Sequence, residues 1–89
     1  MKIKVLFFGR PRELAKSAHK IVSVKKDARL SDLLQLLENR YGIKYSSDLK
    51  QKEAVMVMIN GRHSASLGGL KAPLGDMDTV AIMPVVVGG

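Results

Sequence analysis

Only one long stretch of this 89-residue chain spaces its apolar residues for a helix, so one helix must cover whatever the other segments build. Leu30, Leu33, Leu34, Leu37 and Tyr41 fall at i, i+3, i+4, i+7 and i+11, a single stripe predicting a helix over 30–41. Asp32, Gln35, Glu38 and Asn39 fill its other faces, and Gly42 follows where a left-handed cap belongs. Asp27 and Ser31 are both candidate N-caps, and Arg29 is a poor one.

The remaining apolar residues follow a period of two. In the first strand, residues 2–8, Ile3, Val5 and Phe7 share one face and Lys2, Lys4, Leu6 and Phe8 the other. Gly9-Arg10-Pro11 breaks it, and Arg12 to Ser17 is open between a short helical turn and a loop. A second strand runs from His19 to Lys25 around Ile21, Val22 and Val24. Lys44 to Glu53 reads as a polar loop. Ala54 to Ile59 reads as a third strand, apolar on both faces, with Met56 and Met58 assigned to the core. Asn60-Gly61 signals a type I′ hairpin, with a short return strand from Arg62. Leu67 to Leu74 is an irregular crossover. Thr79 to Met83 is the last strand, with Val80 and Ile82 on one face and Ala81 and Met83 on the other. The expected class is α+β, a four- to five-stranded sheet with one main helix on one face, covering Ile3, Val5, Phe7, Val80 and Ile82.

Bulk properties narrow the function. The length allows one core but not an enclosed active site as well, and 46% hydrophobic content argues against wholesale disorder. No apolar run approaches the ~20 residues of a membrane span, and the opening residues read as a strand rather than a secretory signal. No cysteine is present, hence no disulfide, thiolate nucleophile or zinc–sulfur site. A cytoplasmic location without membrane association is the default expectation. The net charge of +7 points to acidic docking partners or to nucleic acid. Scattered lysines and only 4% aromatic residues favour the former, leaving an RNA-associated module as a third reading.

The segment Met83-Pro84-Val85-Val86-Val87-Gly88-Gly89 is read as a working tail: residues 1–84 form the domain and 85–89 an extended strip. Pro84 cannot donate a ladder hydrogen bond, so the sheet is expected to stop there. Glycines without a Cβ let another protein and a nucleotide close around the backbone. At ~3.3–3.6 Å each, residues 85–89 reach roughly 17 Å. A frayed end that finishes in two glycines is the competing reading of this segment alone. A terminal carboxylate is ionised at neutral pH and is a poor electrophile. Activating it needs a better leaving group such as AMP. The chain has no Gly-x-x-x-x-Gly-Lys-Ser/Thr loop, so ATP would be bound by a partner and no cofactor by this chain. His19 and His63 lack ligands at metal spacing, and Asp76 and Asp78 read as a polar turn.

These pieces resemble, over nearly the full length, the MoaD/ThiS family of ubiquitin-like sulfur carriers, which also takes in the archaeal small modifier proteins. The resemblance rests on Ile3 to Gly9 followed by Arg12-Glu13-Leu14, on Leu33-Leu34…Leu37…Tyr41-Gly42, and on Ile59-Asn60-Gly61. It continues through Leu74-x-Asp76-x-Asp78-x-Val80-Ala81-Ile82-x-Pro84 to Gly88-Gly89. It implies a β-grasp (ubiquitin-like) mixed sheet whose first and last strands are central and parallel, with a flexible C-terminal tail. It further implies that a ubiquitin-activator-like enzyme adenylates Gly89 and that a sulfur donor converts the adenylate to a thiocarboxylate. The recipient would be the precursor held by the large subunit of molybdopterin synthase. In the alternative, a protein modifier, Gly89 would join protein lysines. In either reading the chain would be no catalyst alone; in the first it would be the small, sulfur-donating subunit of molybdopterin synthase. With the first and last strands adjacent, Phe8, Leu6 and Met83 form the expected docking patch, joined by Arg12 and by His63, which stands where some members carry an apolar residue. Met77 stands where the family commonly has glycine, Val85 where it often has proline and Val87 where it has a small residue.

Overall fold

The computed structural model describes residues 1–45 and 55–85. In chain order it contains β1 (Lys2–Phe7), α1 (Arg10–Ala15), β2 (His19–Ser23), α2 (Leu30–Tyr41), β3 (Val55–Ile59), β4 (Arg62–His63) and β5 (Thr79–Pro84). Two 3-10 turns, Ser64–Leu67 and Gly69–Lys71, bridge β4 to β5. The expected polar loop at 44–53 lies largely outside the described residues, as do Val86, Val87, Gly88 and Gly89.

The sheet order is β2-β1-β5-β3-β4. β1 and β5 run parallel at its centre, with Val5 opposite Val80 and Phe7 opposite Ile82, and the other pairings are antiparallel. This is the β-grasp arrangement the resemblance implies. Alternation sends Ile3, Val5, Phe7, Val22, Val57, Val80 and Ile82 to one face, where all are buried with Leu30, Leu33 and Leu37 of α2. Phe7 meets Tyr41 edge to face, ring centroids 5.8 Å apart.

The helix spans the stripe, and Gly42 closes it in the left-handed conformation with its N–H donating to the Glu38 carbonyl. Its start corrects the sequence reading: the N-cap is Arg29, not Asp27 or Ser31. The cap works because Asp32, three positions on, accepts from the Arg29 N–H at 2.8 Å. That bond, reinforced by Lys25 at 3.6 Å, holds the Asp32 carboxyl below the usual aspartate range. Arg12 to Ser17 resolves into α1, which begins earlier, at Arg10, with Pro11 in its first turn.

Asn60 and Gly61 both have positive φ, 51° and 81°, as a type I′ turn requires. Met77 also sits at φ 65°, so the strain a non-glycine residue carries in this turn is present. The turn around it is polar as expected: Asp76 accepts from the Lys2 N–H, and Asp78 accepts from Asn60 Nδ2 and the Gly75 N–H.

Candidate functional site

The face of the sheet turned away from α2 is uncovered by any described element and is lined by the residues that alternate with the core. Pairing across the strands aligns Leu6, Ala81, Met58 and His63 in one row. Met83 and Met56 pair in the next row. Phe8 continues β1 past Phe7, and its N–H donates to the Ile82 carbonyl at 3.1 Å. Its side chain therefore falls on the open face, 42% exposed. The three residues expected to form a patch, Phe8, Leu6 and Met83, do share this face, since β1 and β5 are neighbours.

The assignment of Met56 and Met58 to the core is corrected. Both are half-buried on the open face, whereas Val55, Val57 and Ile59 of the same strand are buried beneath α2. An apolar pattern on both faces predicts two covered faces, but one helix covers only one.

Pro84 extends β5 one residue beyond the expected stop and pairs with Val55. A proline lacks only its N–H, so at a strand end it keeps the carbonyl and the extended geometry. Gly9, between β1 and α1, lies against this proline. A Cβ built on Gly9 would come within 2.8 Å of the Pro84 ring, and its φ of 61° also suits glycine. Nothing in the sequence pattern singled out that contact. It seats the root of the 85–89 segment beside Phe8, at the end of the open face; Val85 is half-buried there.

Arg12 is exposed on α1, the helix that follows Gly9. His63 is exposed, and its Nδ1 accepts from the Ala65 N–H at 3.1 Å, capping the turn Ser64–Leu67. The other titratable side chains on the open face are Lys2, Lys4 and His19, so among the described strand residues this face carries no carboxylate. Also among the described residues, no cluster of three or more His, Cys, Asp or Glu could hold a metal ion. No described helix is long and apolar enough to cross a membrane.

The geometry is thus an apolar, cation-bordered sheet face at whose end β5 finishes in Pro84, followed by Val85. Comparison with known proteins places it. A model of the ThiS family matches residues 5–89. Small archaeal modifier protein 3 of Haloferax volcanii is 34% identical over 92 residues, covering 100% of both chains. A Pyrococcus furiosus chain provisionally named subunit 1 of a molybdopterin converting factor superposes with a TM-score of 0.81. It is 26% identical, and the match covers 97% of this chain and 99% of that one. A chain from the Helicobacter pylori complex of subunits 1 and 2 of molybdopterin-converting factor gives a TM-score of 0.64 at 25% identity, covering 100% of both chains.

Proposed function

The chain belongs to the ThiS family of ubiquitin-like proteins, and from that premise we propose that it is a sulfur carrier whose reacting atom is the Gly89 carboxyl carbon. The observation that carries this reading is the seat of Pro84: close packing on Gly9 and pairing with Val55 hold this proline, next to which the Gly-Gly segment begins, at the end of an open apolar face. A partner that covers Phe8, Leu6 and Met83 receives Val85 to Gly89 along a defined direction, with Arg12 and His63 at the margins of the contact.

The chemistry balances without a catalytic group on this chain. A Gly89 carboxylate oxygen attacks the α-phosphorus of ATP, which is held by an activating enzyme. A carboxyl–phosphorus bond forms, the α–β bridging bond breaks and pyrophosphate leaves. Hydrosulfide from a sulfur donor then attacks the carbonyl carbon, the bond to AMP breaks, and a thiocarboxylate remains. The likeness to molybdopterin converting factor subunits supports delivery of this sulfur to a molybdopterin precursor held by a larger subunit.

A second reading, conjugation of Gly89 to protein lysines, is supported by the full-length likeness to small archaeal modifier protein 3. Both readings share the adenylate, so ATP–pyrophosphate exchange with the cognate activating enzyme tests their common step. Exchange is expected with the intact chain and absent when Gly89 is deleted; exchange that persists without Gly89 contradicts both. Branched Gly-Gly remnants on lysines in cell digests, lost with Gly89, would assign the conjugating role. Loss of molybdopterin without such remnants would assign sulfur delivery.

A further inference from the structure

At the rim of the sheet, among the described residues, β2 pairs with β1 and with no other strand. Which of its backbone groups face outward follows from the bonds that flank it. Met1 and Val24 exchange two bonds of 2.9 Å, and Phe7 donates to the Ala18 carbonyl. Bonded positions recur at every second residue of an antiparallel ladder. Ala18, Lys20, Val22 and Val24 therefore turn their backbone toward β1, and His19, Ile21 and Ser23 turn theirs outward. His19 is already closed off locally: Ser17 Oγ donates to its carbonyl at 2.6 Å and accepts from its N–H at 3.3 Å. Ile21 and Ser23 remain, each presenting one N–H and one carbonyl.

Little along this rim deters pairing. It has no proline, and its register with β1 runs unbroken from Ser23 to His19. Ile21 is 57% exposed on the same face as its partner Lys4. The opposite rim differs: β4 is two residues long and turns at once into a 3-10 segment.

Charge decides the occupant. Lys4 stands beside Ile21, Lys20 precedes it on the other face, and Lys26 lies beyond the strand; all three are exposed. The nearby carboxylates are Asp27, next to Lys26, Asp32, which serves the Arg29 N–H and Lys25, and Asp76, which accepts from the N–H of Lys2, the partner of Ser23. A second copy of a chain of charge +7 would bring lysines against lysines. We propose that the outer edge of β2 takes, as a sixth strand, an extended segment of another protein that sets an apolar residue against Ile21 and a carboxylate against Lys20, with Lys4, one strand further in, and Lys26 adding positive charge around the site. The site is separated from β5 by β1 and makes no use of Gly89, so it stands or falls independently of the adenylation reading.

The test uses the full-length protein labelled with nitrogen-15 and a capped heptapeptide, Glu-Val-Glu-Ile-Glu-Val-Glu, in which glutamates flank each apolar residue so that the apolar side chains fall on the face of Ile21 and the carboxylates on that of Lys20. In the free protein, the Ile21 and Ser23 amides should exchange with solvent much faster than Val22; protection of both would show the edge already covered. Adding peptide should shift and protect the Ile21 and Ser23 amides. Ile21→Lys, which leaves the rim exposed and the core intact, should weaken binding by about tenfold. Deleting Gly89 should leave it unchanged. No binding at millimolar peptide, shifts centred on Phe8 and Met58 instead, equal binding of the lysine-flanked counterpart, or concentration-dependent shifts without peptide would each overturn the proposal.

Discussion

Met77 is the residue at which local conformation and side chain disagree most openly. It is 58% exposed at φ 65°, so its side chain gains little from packing and its backbone occupies a region that L-residues avoid. Met77→Gly should stabilise the fold by about 0.5–1 kcal/mol, the relief of strain exceeding the added freedom of the unfolded chain. Urea denaturation would show a higher midpoint with unchanged slope. The exposure of a turn residue was visible in the sequence; the sign of its φ was visible only through the family's usual glycine. Asp32 makes a titratable contribution. Its folded carboxyl is held below the usual aspartate value of 3.8, chiefly by the Arg29 N–H. That stabilisation is complete above the unfolded value and is lost as pH falls through the lower, folded one. Asp32→Ala should accordingly be less stable than the parent protein at pH 7, and thermal unfolding should show the gap narrowing as the pH falls below 3.8.

Among the elements, α2 was legible to its last residue, because a stripe of four leucines and Tyr41 with a terminal glycine has one geometric solution. The cap at Arg29 is not legible from the cap residue itself, because here the third helical residue supplies the bond. β3 was located correctly but its faces were not, since periodicity reports apolar faces and not what covers them. The hairpin at Asn60-Gly61 was legible as a turn, but not as a joint. Asn60 Oδ1 accepts from the Thr79 N–H, and Asn60 Nδ2 donates to Asp78, each at 2.9 Å, which ties the β3–β4 hairpin to the start of β5. Asn60→Ala should lower stability by about 1–3 kcal/mol through both lost bonds and the positive φ. Hydrogen exchange should place the loss at Thr79 as well as in the turn.

At the scale of the whole fold, a sheet that the described elements cover on one side only leaves an apolar surface that a lone domain has no structural reason to keep. The path of the chain brings Phe8, Met83 and Pro84 to one edge of that surface, and this convergence depends on β1 and β5 being parallel neighbours. Pattern alone did not supply that adjacency; the family resemblance did. If the open face is where the activating enzyme docks, Phe8→Ala should lower kcat/KM for adenylation by about tenfold while leaving the fold intact, the expected cost of losing one anchoring aromatic. The charge of +7 should make the association rate fall as salt rises, because exposed charges are screened beyond a Debye length of about 8–10 Å at 0.10–0.15 M ionic strength. The most direct measurement is the intact mass of the protein after incubation with its activating enzyme, ATP and a sulfur donor. The full chain should gain the difference between sulfur and oxygen, and the chain lacking Gly89 should gain nothing. An unchanged mass with a demonstrably active enzyme, or the same gain without Gly89, would contradict the account.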